Sequence, residues 1–440
     1  MKIEVEARAN QPLGMPAATF LRDYWQKRPL LVRAAFPGFA SPVAPDDLAG
    51  LACEELALSR IVIERPPGRG KPAAGREPAW TLRTGPFVEN DFATLPKTHW
   101  TLLVQDVDKW DADVAALLDA FAFLPSWRID DVMISYAEDG GSVGAHVDQY
   151  DVFLLQGLGH RRWQISTDPA APRAFRSDVE LRLLAGFTPT HEWVLEPGDM
   201  LYLPPGVPHH GVALGACMTY SIGMRAPSQA DLLGDFVDHL IETLPEEARY
   251  TDADLAPARG DGEIDDAAIA RVTRAMPWLR IDEGVVAGSA SEPARKRIST
   301  SKAAAGNRAR EIDGGSGSIS ASSLRTWFGR FITRYRSAQL AAPPPRRLGD
   351  AAFARAIAGG ATVRRNPWSR CAWMREGRGA QLFVAGEAHG CSLALARALG
   401  GDHAPTLAGV TDARDLALLR TLVDAGHFAL VPAGRTGARR

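Results

Sequence analysis

The chain has 440 residues, enough for two or three domains that each bury a core of their own. Its 46% hydrophobic and 23% charged content is typical of a soluble globular protein, and no apolar run long enough to cross a membrane occurs, so a cytoplasmic protein without membrane contact is predicted. The net charge of −2 conceals a basic C-terminal part, because residues 340–440 carry 14 arginines against 7 acidic residues.

Two helices are predicted before residue 125. Residues 17–28 place apolar side chains on one face, and residues 111–122 form a second helix with Asp111 as its N-cap. From about residue 130 the pattern changes to short runs of β-branched and aromatic residues, separated by glycine and proline turns. These runs predict an antiparallel β core over residues 130–226.

Helical spacing returns over residues 229–248 and 318–338. Between these helices, residues 288–317 contain almost no large apolar side chains and predict a flexible insertion. A proline run at 343–345 predicts a stiff joint before a final α+β segment, residues 348–433, with a helix pair and a short β wing.

Two runs carry a metal-binding pattern: GGSVGAHVD, which ends at Asp148, and GDMLYLPPGVPH, which ends at His209. In a strand, alternate side chains share a face, so His146 and Asp148 are predicted to point the same way. The frame G-x5-P-x-G-x2-H resembles the second motif of the cupin superfamily and selects His209 over His210 as the third ligand. Two imidazoles and one carboxylate on one face are the arrangement of non-haem Fe(II) oxygenases, with a zinc hydrolase as the less favoured alternative.

Arg161 lies in the predicted strand RRWQIS and shares a face with Trp163 and Ile165. If Trp163 faces the interior, Arg161 does too, and its guanidinium fork matches the far carboxylate of 2-oxoglutarate. The alternative is a surface arginine in an ion pair. Arg162 is predicted to face solvent.

The segments HVDQYDVFLLQG, LYLPPGVPH and YSIGMRAP resemble the bacterial ribosomal oxygenases, JmjC-type cupin enzymes that hydroxylate a ribosomal protein. The resemblance is close over about 95–228, weaker in the helical segments and only architectural near the C-terminus. It implies a mainly β catalytic core, a double-stranded β-helix, over residues 1–228. An α-helical dimerisation domain over 229–342 and an α+β winged-helix-like domain over 343–440 follow it.

The resemblance also implies a function. It predicts that Fe(II), 2-oxoglutarate and O2 are used to hydroxylate an arginine side chain of a large-subunit ribosomal protein, and that the chain forms a homodimer. By position, the catalytic metal ligands are His146, Asp148 and His209, and Arg161 binds the co-substrate. Ser135 is a less specific match, as a second co-substrate contact. Tyr150 shares the face of His146 and Asp148 and is predicted to be either a wall of the target pocket or a core residue. Thr219 departs from the family pattern, because asparagine is expected there in many relatives.

Several alternatives remain open at this stage. Histidine hydroxylation or demethylation uses the same kind of site, and a metal-binding cupin module of a nucleic-acid-binding protein would use the basic C-terminal part as its contact. A run of aspartates is predicted either to attract a basic ribosomal protein loop or to be an ordinary solvated face. Its members are Asp106, Asp108, Asp111, Asp113, Asp130 and Asp131.

Overall fold

The computed structural model describes residues 2–8, 11–65, 79–247, 249–255, 266–276, 321–401, 407 and 410–431. The chain forms two compact units, residues 1–228 with 332–440, and residues 229–331. The predicted insertion 288–317 lies outside the described residues, and the division at 342/343 stays a prediction.

The strands and helices are numbered in chain order. The strands are β1 (Glu4–Glu6), β2 (Leu30–Arg33), β3 (Ser59–Arg65), β4 (Ala79–Thr84), β5 (Trp100–Val104), β6 (Ile129–Ala137), β7 (Val152–Ile165), β8 (His191–Leu195), β9 (Met200–Leu203), β10 (His209–Met224), β11 (Thr362–Arg365), β12 (Cys371–Glu376), β13 (Gly379–Val384), β14 (Glu387–Cys391) and β15 (Phe428–Val431). The helices are α1 (Ala17–Asp23), α2 (Pro45–Leu51), α3 (Glu89–Ala93), α4 (Val107–Trp110), α5 (Ala112–Ala116), α6 (Gln229–Thr243), α7 (Asp266–Ala275), α8 (Ala321–Thr333), α9 (Asp350–Ala358), α10 (Leu393–Gly400) and α11 (Ala413–Asp424).

A ten-stranded sheet forms the core of the first unit, in the order β1-β2-β9-β7-β10-β6-β5-β3-β4, with β8 paired to β7. The predicted β core, residues 130–226, covers only part of this sheet, because β1 to β5 precede residue 130. That boundary was wrong since β3 pairs with β5 across a long stretch of chain, with no hairpin turn to indicate the pairing.

The long strands β7 and β10 bend together and turn the sheet back on itself. Residues 218–223 of β10 pair with residues 152–158 of β7, and residues 209–214 pair with residues 160–165. The register shifts between Leu214 and Met218, and Gly159 has φ +61°, a left-handed conformation that favours glycine. As a result, side chains from the two halves of β7 face one interior.

Aromatic residues fill the core beside this sheet. Phe20 from α1 packs edge-on against Tyr202 with ring centroids 4.9 Å apart, and Phe153 lies 4.9 Å from both Tyr202 and Phe121. Helix α1 supplies Phe20 but ends five residues earlier than predicted, at Asp23. These buried rings fix β7 and β9 beside the site described below.

The helix predicted over 111–122 is shorter and ends in a 3-10 turn, Leu117–Phe121. Asp111 is its N-cap as predicted, since its carboxylate accepts hydrogen bonds from the backbone N–H groups of Asp113 and Val114. The strands that follow start at Ile129, so this compact helical segment leads directly into β6.

The second unit contains α6, α7 and most of α8. Trp327 of α8 is buried, donates a hydrogen bond from Nε1 to Asp235 Oδ1 at 2.8 Å, and packs on Phe236 and Phe331. The apolar spacing predicted for this helix therefore forms a small core. In contrast, several apolar side chains of α6 are exposed: Leu233, Val237, Ile241 and the following Leu244.

The C-terminal part of the first unit is an α+β arrangement with its own core. Strands β11 and β15 pair, β12 to β14 form a three-stranded sheet, and α10 and α11 bury Leu395, Leu399 and Leu419. Among the described residues, no helix is long and apolar enough to cross a membrane.

Candidate active site

Three predicted ligands meet at one point. The ligand atoms of His146, Asp148 and His209 all lie within 4.8 Å of one another, and no second group of this kind occurs in the described ranges. Nε2 of His146 is 3.9 Å from Asp148 Oδ1, and Nε2 of His209 is 3.6 Å from Asp148 Oδ2. Two imidazoles and a carboxylate at these separations form a site for a divalent first-row metal with open positions.

Each histidine is oriented by the backbone. His146 Nδ1 lies 2.9 Å from Gly144 O, and His209 Nδ1 lies 2.9 Å from Val207 O. A carbonyl only accepts hydrogen bonds, so each Nδ1 carries the proton and each Nε2 has a lone pair that would bind a metal. Burial, together with His146, lowers the pKa of His209 to about 4, which keeps the imidazole in the neutral form that binds metals.

The local structure of His146 and Asp148 differs from the strand that the sequence predicted. Both residues lie in an irregular segment between β6 and β7, and His146 forms an isolated bridge with His209. The backbone N–H of each histidine donates to the carbonyl of the other at 3.0 Å. Gly206 N–H donates to Asp148 O at 2.7 Å, so the Pro-Gly turn before His209 also holds Asp148. The bridge between His146 and His209 and the Pro-Gly turn therefore bring the three side chains together, and the alternation of a regular strand does not.

Arg161 points into the interior, as predicted. Its side chain is buried, and Nη1 donates at 3.2 Å to Ser135 Oγ and to Thr219 Oγ1. The guanidinium Nε has no hydrogen-bond acceptor, and no carboxylate among the described residues pairs with it. Burial lowers the pKa of Arg161, yet an arginine stays charged in proteins. A buried cation in this state lacks an anionic partner.

The predicted neighbours of Arg161 take the expected positions. Trp163 is buried on the same face, with the guanidinium 5.5 Å from its ring centre, and its ring lies 5.9 Å from that of His209. Thr219, where asparagine was expected in relatives, accepts from Arg161 and donates to Gln156 Oε1 at 3.1 Å. The Thr219 hydroxyl therefore links Arg161 to Gln156.

One cavity of about 410 Å³ contains the three ligands and Arg161. Alternate residues of β6 line it, and because a strand rises about 3.3 Å per residue, Asp131 lies about 13 Å along β6 from Ser135. The cavity thus has a guanidinium near one end and a carboxylate near the other. Tyr150 also lines it and is 41% exposed, so it is part of the cavity wall and not a core residue.

Asp131 was predicted only as part of a surface run of acids, and that interpretation was wrong for half of the run. Asp106, Asp108 and Asp131 are buried. Burial raises the pKa of Asp131 to about 7, with smaller contributions from the carboxylates of Asp130 and Asp106. A buried acid in a cavity wall is a typical functional-site feature, but only the fold reveals its burial.

His210 does not join the metal ligands. Its Nε2 lies 3.0 Å from Ser142 Oγ, on the other side of the strand, as the sequence frame predicted. Burial lowers its pKa to about 4. His210 is therefore a hydrogen-bonded structural side chain beside the site.

Two models of known protein families match parts of this chain. Residues 116–232 match a JmjC domain, and residues 320–429 match a ROXA-like winged helix. Among curated proteins, the ribosomal protein uL16 3-hydroxylase of Escherichia coli K12 is 41% identical over 245 residues, and a probable ribosomal oxygenase of Haemophilus influenzae is 39% identical over 215 residues. These alignments cover 56% and 49% of this chain, and they span 62% and 50% of the two relatives.

The solved structures cover nearly the whole molecule. The X-ray structure of E. coli ycfD superposes with a TM-score of 0.72 at 30% identity, over 95% of this chain and 99% of that one. The chain belongs to the ribosomal oxygenase family. A further structure of this E. coli ribosomal oxygenase, in complex with cobalt and 2-oxoglutarate, matches with a TM-score of 0.69 at 30% identity and the same coverage.

Membership in the ribosomal oxygenase family confirms two sequence predictions, the family itself and the fold class of a JmjC core followed by a winged helix. The winged-helix match begins at residue 320, inside the segment predicted as a separate helical domain. The dimerisation role of that segment stays a prediction.

Proposed function

We propose that this ribosomal oxygenase is an Fe(II)- and 2-oxoglutarate-dependent dioxygenase that hydroxylates an arginine side chain of a large-subunit ribosomal protein, uL16. The observation that carries the proposal is one cavity with a metal-ligand group, an unpaired buried guanidinium and a buried carboxylate. The name of the 41% identical E. coli relative supports the choice of target protein.

The residues fit the two groups that this chemistry needs. His146, Asp148 and His209 would hold the iron, and Arg161 with Ser135 would bind the far carboxylate of 2-oxoglutarate. Iron, 2-oxoglutarate and O2 together supply the oxidising power to insert one oxygen atom into a C–H bond, with release of succinate and CO2. The cobalt and 2-oxoglutarate complex of the E. coli structure supports both assignments.

The side chains of the protein orient the co-substrate, exclude water and bind the target. Arg161, fixed by two hydroxyls, orients the co-substrate, and the buried Trp163 excludes water from its stem. Asp131 is the natural partner of a target guanidinium, because a carboxylate accepts two parallel hydrogen bonds from an arginine fork. A bound cation also favours the ionised form of Asp131 and so lowers the pKa that burial has raised.

We also propose that the chain works as a homodimer in the cytoplasm. Cytoplasmic location follows from the proposed ribosomal substrate. Dimerisation through the second unit is supported by the apolar side chains exposed along α6, where Leu233 and Ile241 are 64% and 61% exposed. A stripe of this kind on one helix is typical of a surface that another chain covers.

Mass spectrometry of large-subunit ribosomal proteins tests the target. The purified protein is incubated with Fe(II), 2-oxoglutarate, air and unmodified ribosomal proteins, and peptides are mapped for a gain of one oxygen atom. We expect the modification on an arginine of uL16. Modification of a histidine, or loss of a methyl group, would replace the arginine proposal with one of the alternatives of the same enzyme class.

A further inference from the structure

Four aspartates form an acidic cluster at the Asp131 end of the cavity: Asp106, Asp108, Asp130 and Asp131. Asp106 and Asp108 lie at the start of α4, and Asp130 and Asp131 lie at the start of β6. Asp108 Oδ1 accepts from the backbone N–H of Val132 at 2.8 Å and so ties α4 to the strand. Four carboxylates in one partly buried cluster repel one another unless cations neutralise them.

Residues 332–440 supply much of that neutralisation. Tyr335 OH donates a hydrogen bond to Asp106 Oδ1, and Arg336 Nη2 donates to Asp106 Oδ2 at 2.7 Å. Arg370 Nη2 donates to the carboxylate of Asp130 and, at 3.1 Å, to its backbone carbonyl. The Arg370 guanidinium also lies 4.1 Å above the Tyr335 ring, so the three side chains form one contact surface.

These contacts reach Asp131 through the backbone. Asp106 has φ +59°, a left-handed conformation that is uncommon for residues other than glycine, although aspartate tolerates it. In this conformation the Asp106 N–H donates to Asp131 Oδ2 at 3.1 Å. Tyr335 and Arg336 hold the side chain of the residue that orients Asp131, and Arg370 holds the residue next to it.

We propose that Tyr335, Arg336 and Arg370 are positioning residues for the target side chain, through which the C-terminal part sets target affinity without touching the target. The inference rests on the proposed function, because it takes Asp131 as the acceptor of the target guanidinium. It assigns to the C-terminal part a role in target binding that is separate from co-substrate binding, since Ser135, whose hydroxyl accepts from Arg161, lies about 13 Å from Asp131 along β6.

Loss of the Arg370 charge is expected to change the protonation of Asp131 in one direction. Removing the Arg370 cation leaves Asp130 unpaired beside Asp131, and the added negative charge favours the protonated form of Asp131. A protonated Asp131 loses its ion pair with a cationic target, and a higher pH restores it. The charged and titratable groups that face this cluster are Arg60, Asp106, Asp108, Lys109, Asp130, Tyr150, Arg225, Tyr335, Arg336 and Arg370.

Steady-state kinetics with a uL16 peptide give the KM for the target as a function of pH. They are measured for the wild type and for Arg370→Met, Tyr335→Phe and Arg370→Lys. At pH 7 we expect the target KM to rise about fivefold in Arg370→Met, because a pKa that moves up by about one unit from about 7 lowers the ionised fraction of Asp131 from about one half to about one tenth. The KM for 2-oxoglutarate and the turnover without target stay unchanged. The target KM of Arg370→Met recovers at pH 9, and Arg370→Lys, which keeps the cation, retains the wild-type pH profile. Arg355→Ala, an exposed arginine of α9, is the matched control.

A second readout needs neither iron nor turnover. Carbon NMR of protein labelled at aspartate carboxyls follows the titration of Asp131 in the metal-free protein, with Asp131→Asn identifying the signal. We expect its midpoint to move up by about one unit in Arg370→Met and to stay in place in Arg355→Ala. An unchanged midpoint, or an unchanged target KM at every pH, overturns the proposal. A shifted midpoint in a protein that turns over no ribosomal target refutes the proposed function, and with it the target-positioning role, but leaves the coupling of Arg370 to Asp131 standing.

Discussion

Arg161 and Asp131 are buried side chains of opposite charge type that line one cavity, and Arg161 lacks a full set of partners among the described residues. Arg161 Nε lacks an acceptor, although two hydroxyls hold Nη1. At the scale of single residues, these two side chains define what enters the cavity: an anionic group near Arg161 and a cationic group near Asp131.

Replacing Arg161 by methionine tests the anionic end. A charge-assisted hydrogen-bonded pair contributes about 2 to 3 kcal/mol, so we expect the dissociation constant for 2-oxoglutarate to rise roughly 30- to 150-fold. Titration calorimetry with the Mn(II)-loaded protein measures it. Metal affinity stays within about twofold, and Arg162→Met, on the opposite face of β7, keeps normal co-substrate binding. Equal losses in both variants would refute the assigned role of Arg161.

The stability of the protein depends on pH through Asp131. Its pKa of about 7 in the folded state exceeds the value of about 3.9 in an unfolded chain. The protonated native state is therefore favoured, and this stabilisation is lost as pH rises from about 4 to 7. Against Asp131→Asn, which cannot ionise, we expect the wild type to lose about 2 kcal/mol between pH 5 and 8. Urea denaturation of both metal-free proteins at pH 5 and pH 8 measures this loss. A difference in the free energy of unfolding that stays the same at both pH values contradicts the prediction.

Local motifs made the grouping of three side chains predictable, but tertiary structure decides the rest of the site. H-x-D and the Pro-Gly frame lie within short stretches of sequence, and the structure brings His146, Asp148 and His209 together. Asp131 could not be recognised in this way, because its burial comes from the opposite strand residue Gly223 and from α4. Sequence alone also cannot distinguish a solvated aspartate from a buried one.

At the scale of elements, β10 carries a glycine where the site needs close packing. A Cβ built on Gly211 would lie 2.8 Å from the ring of Trp163, which is next to both Arg161 and His209. Gly211→Ala should displace the indole, cost about 1 to 3 kcal/mol and weaken metal binding. Thermal unfolding and Co(II) absorption titrations measure both effects. Gly186→Ala, where the added Cβ meets nothing within 4 Å, should leave both unchanged; equal behaviour of the two variants would remove the packing argument.

The elements themselves were partly predictable. The alternating runs after residue 130 indicated the strands that form the cavity, since period-2 patterns are local. Strands β3 and β5 were missed because β3 pairs with β5, and β5 with β6, across long stretches of chain. The predicted strand through His146 is an irregular segment held by turns. Pairing across long stretches of chain has no local pattern.

At the scale of the whole molecule, the exposed stripe on α6 predicts association of two chains. Ile241→Asp places a charge in the centre of the stripe and should convert a dimer to a monomer at micromolar concentration. Light scattering coupled to gel filtration measures the mass, and Glu242→Ala on the same helix is the control. A wild-type monomer would refute the homodimer proposal.

The measurement that tests the central claim most directly is the stoichiometry of succinate formation and oxygen incorporation, in the wild type and in Asp148→Ala. With Fe(II), 2-oxoglutarate, O2 and the ribosomal target, we expect one succinate for each oxygen atom added to the target. Loss of a metal ligand should reduce both by at least about 100-fold. Asp168→Ala, an exposed aspartate beyond β7, should match the wild type. Turnover that survives in Asp148→Ala, or a wild type that forms no succinate with iron and target present, would contradict the proposed dioxygenase.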